Sequence, residues 1–153
     1  MNDLYLGFEV GADKPLNFLE ARLHDLSPFA ALEVMIDGVV YKTTEHAYQA
    51  LRVVAECRAS IIASGSPLEA WREGQKCKEN NQLLPNIDKE QLMEKIFRAK
   101  LVQHDYLKEV LLATGDRELI KVMPTDLFWG TDGVGNGENR MGKLWMKLRS
   151  ELE

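Results

Sequence analysis

Apolar and polar positions along this chain follow two regimes. In the first forty residues the apolar ones come in short runs, Leu4-Tyr5-Leu6-Gly7-Phe8 and Leu32-Glu33-Val34-Met35-Ile36, which predict short strands. Asp37-Gly38, set between Ile36 and Val39-Val40-Tyr41, predicts a tight hairpin turn. From Thr43 the spacing becomes helical. Thr43 or Thr44 caps a helix expected to run to about Cys57, with Ala47, Ala50, Leu51 and Val54 on one face. Ser66-Pro67-Leu68-Glu69 is a capping box with proline at the first helical position, and its helix should end near Asn80-Asn81. Asp88 with Gln91 opens another, carrying the stripe Leu92, Met93, Ile96, Phe97 and Leu101. A short helix is expected from Tyr106 to Ala113, closed by Thr114-Gly115, with a further turn or two from Arg117 to Val122 before Pro124. The last helix begins near Asn139 and buries Met141, Leu144, Trp145 and Leu148. The pattern predicts a mainly α fold, α+β with a small N-terminal β element, in a single domain over residues 1–153.

Composition narrows the function. No run approaches the ~18 apolar residues of a membrane span, and the N-terminus lacks the basic-then-apolar plan of a signal peptide, so a cytoplasmic location without membrane contact is expected. Cys57 and Cys77 lie twenty residues apart without a CxxC partner, which fits free thiols in a reducing compartment. A net charge of −5 argues against a general nucleic-acid binder, whereas a small nucleotide in a local pocket is compatible with it. His24, His46 and His104 are scattered with no HExxH pair, so neither a metal nor another cofactor is expected. The oligomeric state is left open.

The densest chemical signal is Phe128-Trp129-Gly130-Thr131-Asp132-Gly133-Val134-Gly135-Asn136-Gly137-Glu138-Asn139-Arg140-Met141-Gly142. Gly130, Gly133, Gly135 and Gly137 lack Cβ atoms, so consecutive N–H groups can converge on an anion. Asn139 can cap a helix whose first N–H groups favour a phosphate or carboxylate. The spacing is neither a dinucleotide fingerprint nor a Walker A loop, and a plain surface turn is the competing reading. Asp132, set among these glycines, has stabilisation of the turn as its simplest role. Earlier, Glu45, Gln49, Arg52 and Glu56 form one polar stripe, which a solvated helix face would also explain. His46 is an acid-base candidate or a capping and core residue with satisfied nitrogens.

Several of these segments resemble one known family. Asp37-Gly38-Val39-Val40-Tyr41-Lys42-Thr43-Thr44-Glu45-His46-Ala47-Tyr48-Gln49-Ala50 is similar to the "DG..Y.T.EH.YQA" segment of the NADAR, or YbiA-like, family. Ser27-Pro28-Phe29, Phe97-Arg98-Ala99-Lys100-Leu101, Leu111-Leu112-Ala113-Thr114-Gly115 and the Trp129 to Gly142 segment resemble its other motifs in the same order. The resemblance implies a compact, mostly helical domain that cleaves N-glycosidic bonds. The implied substrates are small nucleotides, either phosphoribosylamino-pyrimidines of riboflavin synthesis or ADP-ribose on guanine, free or within a nucleic acid. It implies that Glu45, the Trp129-Gly130 corner and the glycine loop line one pocket. His46, Gln49, Arg52, Gly133, Gly135, Gly137 and Asn139 join Trp129 and Gly130 as candidate binding residues.

Cleavage of a C1′–N bond builds oxocarbenium character on the ribose, which a carboxylate stabilises, so Glu45 is the first catalytic candidate. Asp126 is the second, because the leaving base needs a proton; its competing role is an Asx-turn after Pro124. Trp129 can stack on a base or belong to the core. Many family members carry lysine where this chain has Arg52. A guanidinium cannot form the Schiff base that lysine can, which leaves Lys100 as the catalytic amine, or as a snorkelling residue beside Phe97 and Leu101. Arg52 also keeps open a second reading, a binding module for ADP-ribose-like ligands without turnover.

Overall fold

In the computed structural model, which describes residues 14–20 and 22–153, the helical and extended regimes of the sequence become separate elements. The run Leu4–Phe8 lies outside the described residues. In chain order the elements are β1 (Leu16–Asn17), a 3-10 turn (His24–Leu26), β2 (Val34–Ile36), β3 (Val39–Tyr41), α1 (Thr44–Leu51) and α2 (Ala55–Ala63). They continue with α3 (Pro67–Glu79), α4 (Lys89–Gln103), α5 (Tyr106–Ala113), β4 (Leu119–Ile120) and α6 (Arg140–Leu152). Helices dominate, as the hydrophobic periodicity predicts. The described chain divides into two compact units, one of residues 28–103 and one made of the residues up to 27 with residues 104–153.

In the unit of residues 28–103, β2 and β3 form an antiparallel hairpin with Val34 opposite Tyr41 and Ile36 opposite Val39. Its turn residues Asp37 and Gly38 both take positive φ, at 51° and 83°, the conformation that an Asp-Gly hairpin turn requires. The capping side chains behave as expected: Thr43 Oγ1 accepts from His46 N, Ser66 Oγ from Glu69 N, and Asp88 Oδ1 from Glu90 N and Gln91 N. The first helix, however, ends at Leu51 instead of Cys57. The β-branched pair Val53-Val54 favours extended backbone, and it finds a partner there. Val53 bridges to Leu83, Val54 N donates to Gln82 O, and Leu84 N donates to Arg52 O, so a new helix, α2, has to start at Ala55. The shortened α1 is the packing centre of this unit, touching α2, α3, α4 and the hairpin, and every residue from Thr44 to Ala50 is buried.

In the other unit, β1 pairs in parallel with β4, Leu16 beside Leu119 and Asn17 beside Ile120. The segment from Arg117 to Val122 is therefore extended where helical turns were expected. Lys121 and Val122 continue the pairing on the far side, with Thr131 N donating to Lys121 O and Met123 N to Thr131 O. Ladder partners at Leu16–Asn17 and Thr131 outweigh the weak helix preference of six residues. α6 packs on α5 and β4. It buries Met141, Leu144, Trp145 and Leu148 as predicted, and the Trp145 indole N–H donates to Leu26 O at 3.0 Å. Buried Arg149 gives Nη1 to Thr114 Oγ1 and Arg117 O, so its charge is hydrogen-bonded inside the fold.

Candidate active site

The stripe Glu45-Gln49-Arg52-Glu56 is not a solvated face. Glu45 and Gln49 are 7% and 2% exposed, and the stripe ends with α1 because Glu56 lies in α2. Packing on all sides of α1 makes the burial unavoidable, so these polar side chains must find partners inside. Gln49 Nε2 donates to Glu45 Oε1 at 2.7 Å, one helical turn away. A carboxylate can only accept here, which fixes the carboxamide with its nitrogen toward Glu45. Gln49 Oε1 and the neighbouring Thr44 Oγ1 are then buried without a hydrogen-bond partner. Such orphaned atoms are rare in folded proteins. The backbone N–H of Glu45 is satisfied by Pro28 O at 3.0 Å, which ties Pro28 to the start of α1.

His46 has both ring nitrogens engaged within the same unit. Ser64 O can only accept, so Nε2 donates to it at 2.9 Å, and the Thr43 hydroxyl, 2.8 Å away, donates to Nδ1. Burial pushes the imidazole below its ordinary pKa, opposed by the Ser64 hydrogen bond and aided by the Lys42 charge. This is a neutral pin between the start of α1 and the end of α2, the capping and core role. Arg52 stands at the C-terminal end of α1, its guanidinium 5.1 Å from the centre of the Tyr48 ring and Nη1 3.2 Å from the Tyr48 hydroxyl. Lys100 on α4 is wholly buried, so the snorkelling role is excluded: its side chain does not reach water. α4 packs against α1, so Glu45, Gln49, Arg52 and Lys100 belong to neighbouring elements of one unit.

The glycine segment belongs to the other unit and is organised from within. Asp132 Oδ1 accepts from Val134 N and Asn136 N, and Oδ2 from the Asn136 carboxamide. These bonds, the Asn136 amide foremost, hold the exposed Asp132 carboxyl below the usual carboxylate range. Gly133 N donates to Thr131 Oγ1. Convergence of this loop's N–H groups on an anion is thus largely pre-empted by its own oxygens, and Asp132 has the turn-stabilising role. The start of α6 departs from expectation in the same way: Asn139 N, Arg140 N and Met141 N donate to Gly130 O, Phe128 O and Trp129 O. Asn139 sits in the left-handed region at φ 47°, and its side chain does not cap α6. It reaches back to β4, accepting from Lys121 N and donating to Leu119 O.

Glycine at two of these positions answers to close backbone approach. A Cβ on Gly130 would lie 2.6 Å from Lys121 O, and one on Gly137 2.5 Å from Gly130 O. Gly133 and Gly135 take positive φ on the exposed side of the turn. Asp126 accepts from Trp129 N through Oδ1 and from Lys121 Nζ, 3.3 Å away, through Oδ2, the geometry of a turn after Pro124. Trp129 is 9% exposed, with its ring centre 4.9 Å from that of Phe128. Among the described residues, no cluster of three or more His, Cys, Asp or Glu could hold a metal ion, and no helix is long and apolar enough to cross a membrane. The sequence reading missed Gly74 of α3, whose backbone faces the Gln49 carboxamide. A glycine inside a capped, polar helix was the only signal for it.

Comparison with known proteins accounts for this combination of motifs. The family model described as NADAR domain matches residues 17–153. N-glycosidase YbiA of Escherichia coli (strain K12) is 40% identical over 131 residues, covering 84% of this chain and 81% of its own. N-glycosidase Npun_R5314 of Nostoc punctiforme is 36% identical over 132 residues, covering 82% of this chain and 83% of its own. The NMR structure of the E. coli protein YbiA superposes with a TM-score of 0.78 at 36% identity, over 92% of this chain and 85% of that one. On the family match, the level of identity and the shared fold together, this chain belongs to the NADAR domain family.

Proposed function

We propose that the protein hydrolyses the C1′–N bond of a ribosylated base, of the ADP-ribosyl-guanine or phosphoribosylamino-pyrimidine type. The relatives from E. coli and Nostoc punctiforme are named N-glycosidases, and a hydrolase acting on N-glycosyl compounds is the class this kinship supports. The observation that carries the reading is Glu45, a buried carboxylate held by Gln49 on the first turn of a helix whose residues from Thr44 to Ala50 are all buried.

As the C1′–N bond lengthens, positive charge spreads over C1′ and the ring oxygen. A fixed carboxylate in low-dielectric surroundings stabilises that charge far better than water does, and it accepts the proton of the water that attacks C1′. The base leaves with the bonding electrons and needs a proton or a hydrogen bond as it does so. Lys100 is our second catalytic group: as an ammonium it donates to the departing nitrogen, and as a neutral amine it attacks C1′ and forms an imine with the opened ribose. Borohydride reduction during turnover separates these, because only the imine leaves the ribose fixed to Lys100. Asp126 is given the turn and not the proton transfer, since both its oxygens already accept within its own unit.

One observation favours a second reading, a module that holds an ADP-ribose-like ligand without turnover. The permanently charged Arg52, stacked on Tyr48, suits bidentate binding of a phosphate and offers no nucleophile. Mass-spectrometric detection of free base, with a folded Glu45→Gln variant as control, tests the enzyme reading. Ligand binding without release of base would support the module.

A further inference from the structure

We propose that Gly74 is a positioning residue for Glu45: by lacking a side chain on α3 it lets the Gln49 carboxamide lie where it holds the carboxylate. The inference rests on the reading of Glu45 as the catalytic carboxylate. Gly74 lies in the interior of a thirteen-residue helix, where glycine is less favourable than alanine, and it takes no positive φ that would call for glycine. What it provides is space. A Cβ built on Gly74 would overlap Gln49 Oε1, lie 2.6 Å from Cδ and 3.2 Å from Cγ. The neighbour is a side chain, but not one free to swing aside, because Gln49 is 2% exposed and its Nε2 is committed to Glu45 at 2.7 Å.

The orphaned Gln49 Oε1 fits the same account. It occupies the position where a Cβ would begin, so the glycine Cα–H is set to meet it as a weak donor, while no N–H or O–H does. Turning the amide over would put its oxygen against the Glu45 carboxylate. Three helix positions therefore act as one device: α3 supplies the gap, Gln49 fills it, and Glu45 is oriented by the result. Gln49 holds the carboxylate and is assigned no contact with substrate.

The test is a cycle of Gly74→Ala, Gln49→Ala and the double variant, read in kcat and KM and in thermal unfolding. Gly74→Ala should lower kcat by about 10²-fold, as a 1 Å misplacement of a reacting group can, while KM changes by less than about three-fold. Gln49→Ala should show a similar loss. The double variant should be no worse than Gln49→Ala and should melt higher than Gly74→Ala, because the new methyl group then enters vacated space. Losses that multiply in the double variant, or an undiminished kcat in Gly74→Ala, would overturn the proposal. A readout independent of turnover is the NMR cross-peak of the Gln49 side-chain amide, expected to shift in Glu45→Gln and again in Gly74→Ala. If those shifts occur in a protein that releases no base, the positioning device stands and the N-glycosidase reading falls. If base is released but the Gln49 amide ignores both substitutions, the device falls and the enzyme stands.

Discussion

The carboxamide of Asn139 donates to Leu119 O at 2.9 Å and accepts from Lys121 N at 3.1 Å, fastening the entry of the last helix to a strand some twenty residues earlier. Both backbone groups lose their partner in Asn139→Ala. With each buried orphan costing roughly 1–3 kcal/mol, the variant should be less stable by about 2–6 kcal/mol in denaturant titration. A loss below about 0.5 kcal/mol would mean that water replaces the side chain and that the contact is incidental.

Gly142 faces the same carbonyl, and a Cβ there would overlap Leu119 O. Backbone cannot swing aside as a side chain can, so Gly142→Ala should force α6 away from β4. The expected result is a thermal midpoint lowered by more than 5 °C, a shift that corresponds to a destabilisation of about 2 kcal/mol for a chain of this size. Wild-type behaviour would show that the helix and the strand separate without cost.

His46 supplies a pH signature. Its folded pKa lies below the unfolded one, so the unfolded chain binds the extra proton first, and stability is lost as pH falls from about 6.5 through the folded value. Thermal midpoints between pH 7.5 and 5.5 should fall for the wild type and vary less for His46→Gln, which should be the less stable of the two at pH 7.5. Parallel curves would show that His46 titrates alike in both states.

Much of this architecture was readable before the structure because it is local. The Asp37-Gly38 turn, the Ser66 and Asp88 caps and the apolar face of the last helix each follow from residues within one or two turns of chain. The failures share a cause. The break after Leu51 depends on Gln82 to Leu84, and the extension at Leu119 on Leu16, partners too distant in sequence for periodicity to register. The same holds at the site. The polar stripe named Glu45 and Gln49, but their burial comes from α2, α3 and α4 closing around α1, and the part played by Gly74 exists only once α3 is in place. In the glycine loop the Asp132 carboxylate accepts from Val134 N and Asn136 N, an internal arrangement that the glycine spacing does not display.

Cys57 and Cys77 are buried free thiols, and burial with the adjoining Cys57 thiol pushes Cys77 up to about 11. At pH 8 the native protein should react with an aromatic disulfide reagent far more slowly than the unfolded chain, since the thiolate is the reacting form. Two equivalents should appear only on denaturation. Rapid labelling of the native protein would place at least one thiol in reach of solvent.

The proposed role of Glu45 in C1′–N cleavage is tested by free base released from ADP-ribosylated guanosine and from a phosphoribosylamino-pyrimidine, quantified by mass spectrometry. Wild-type protein should release base from one of them, with a loss of about 10²–10⁴-fold in a Glu45→Gln variant whose thermal unfolding shows it folded. Undiminished release by Glu45→Gln, or no release from either compound by the folded wild type, would contradict it.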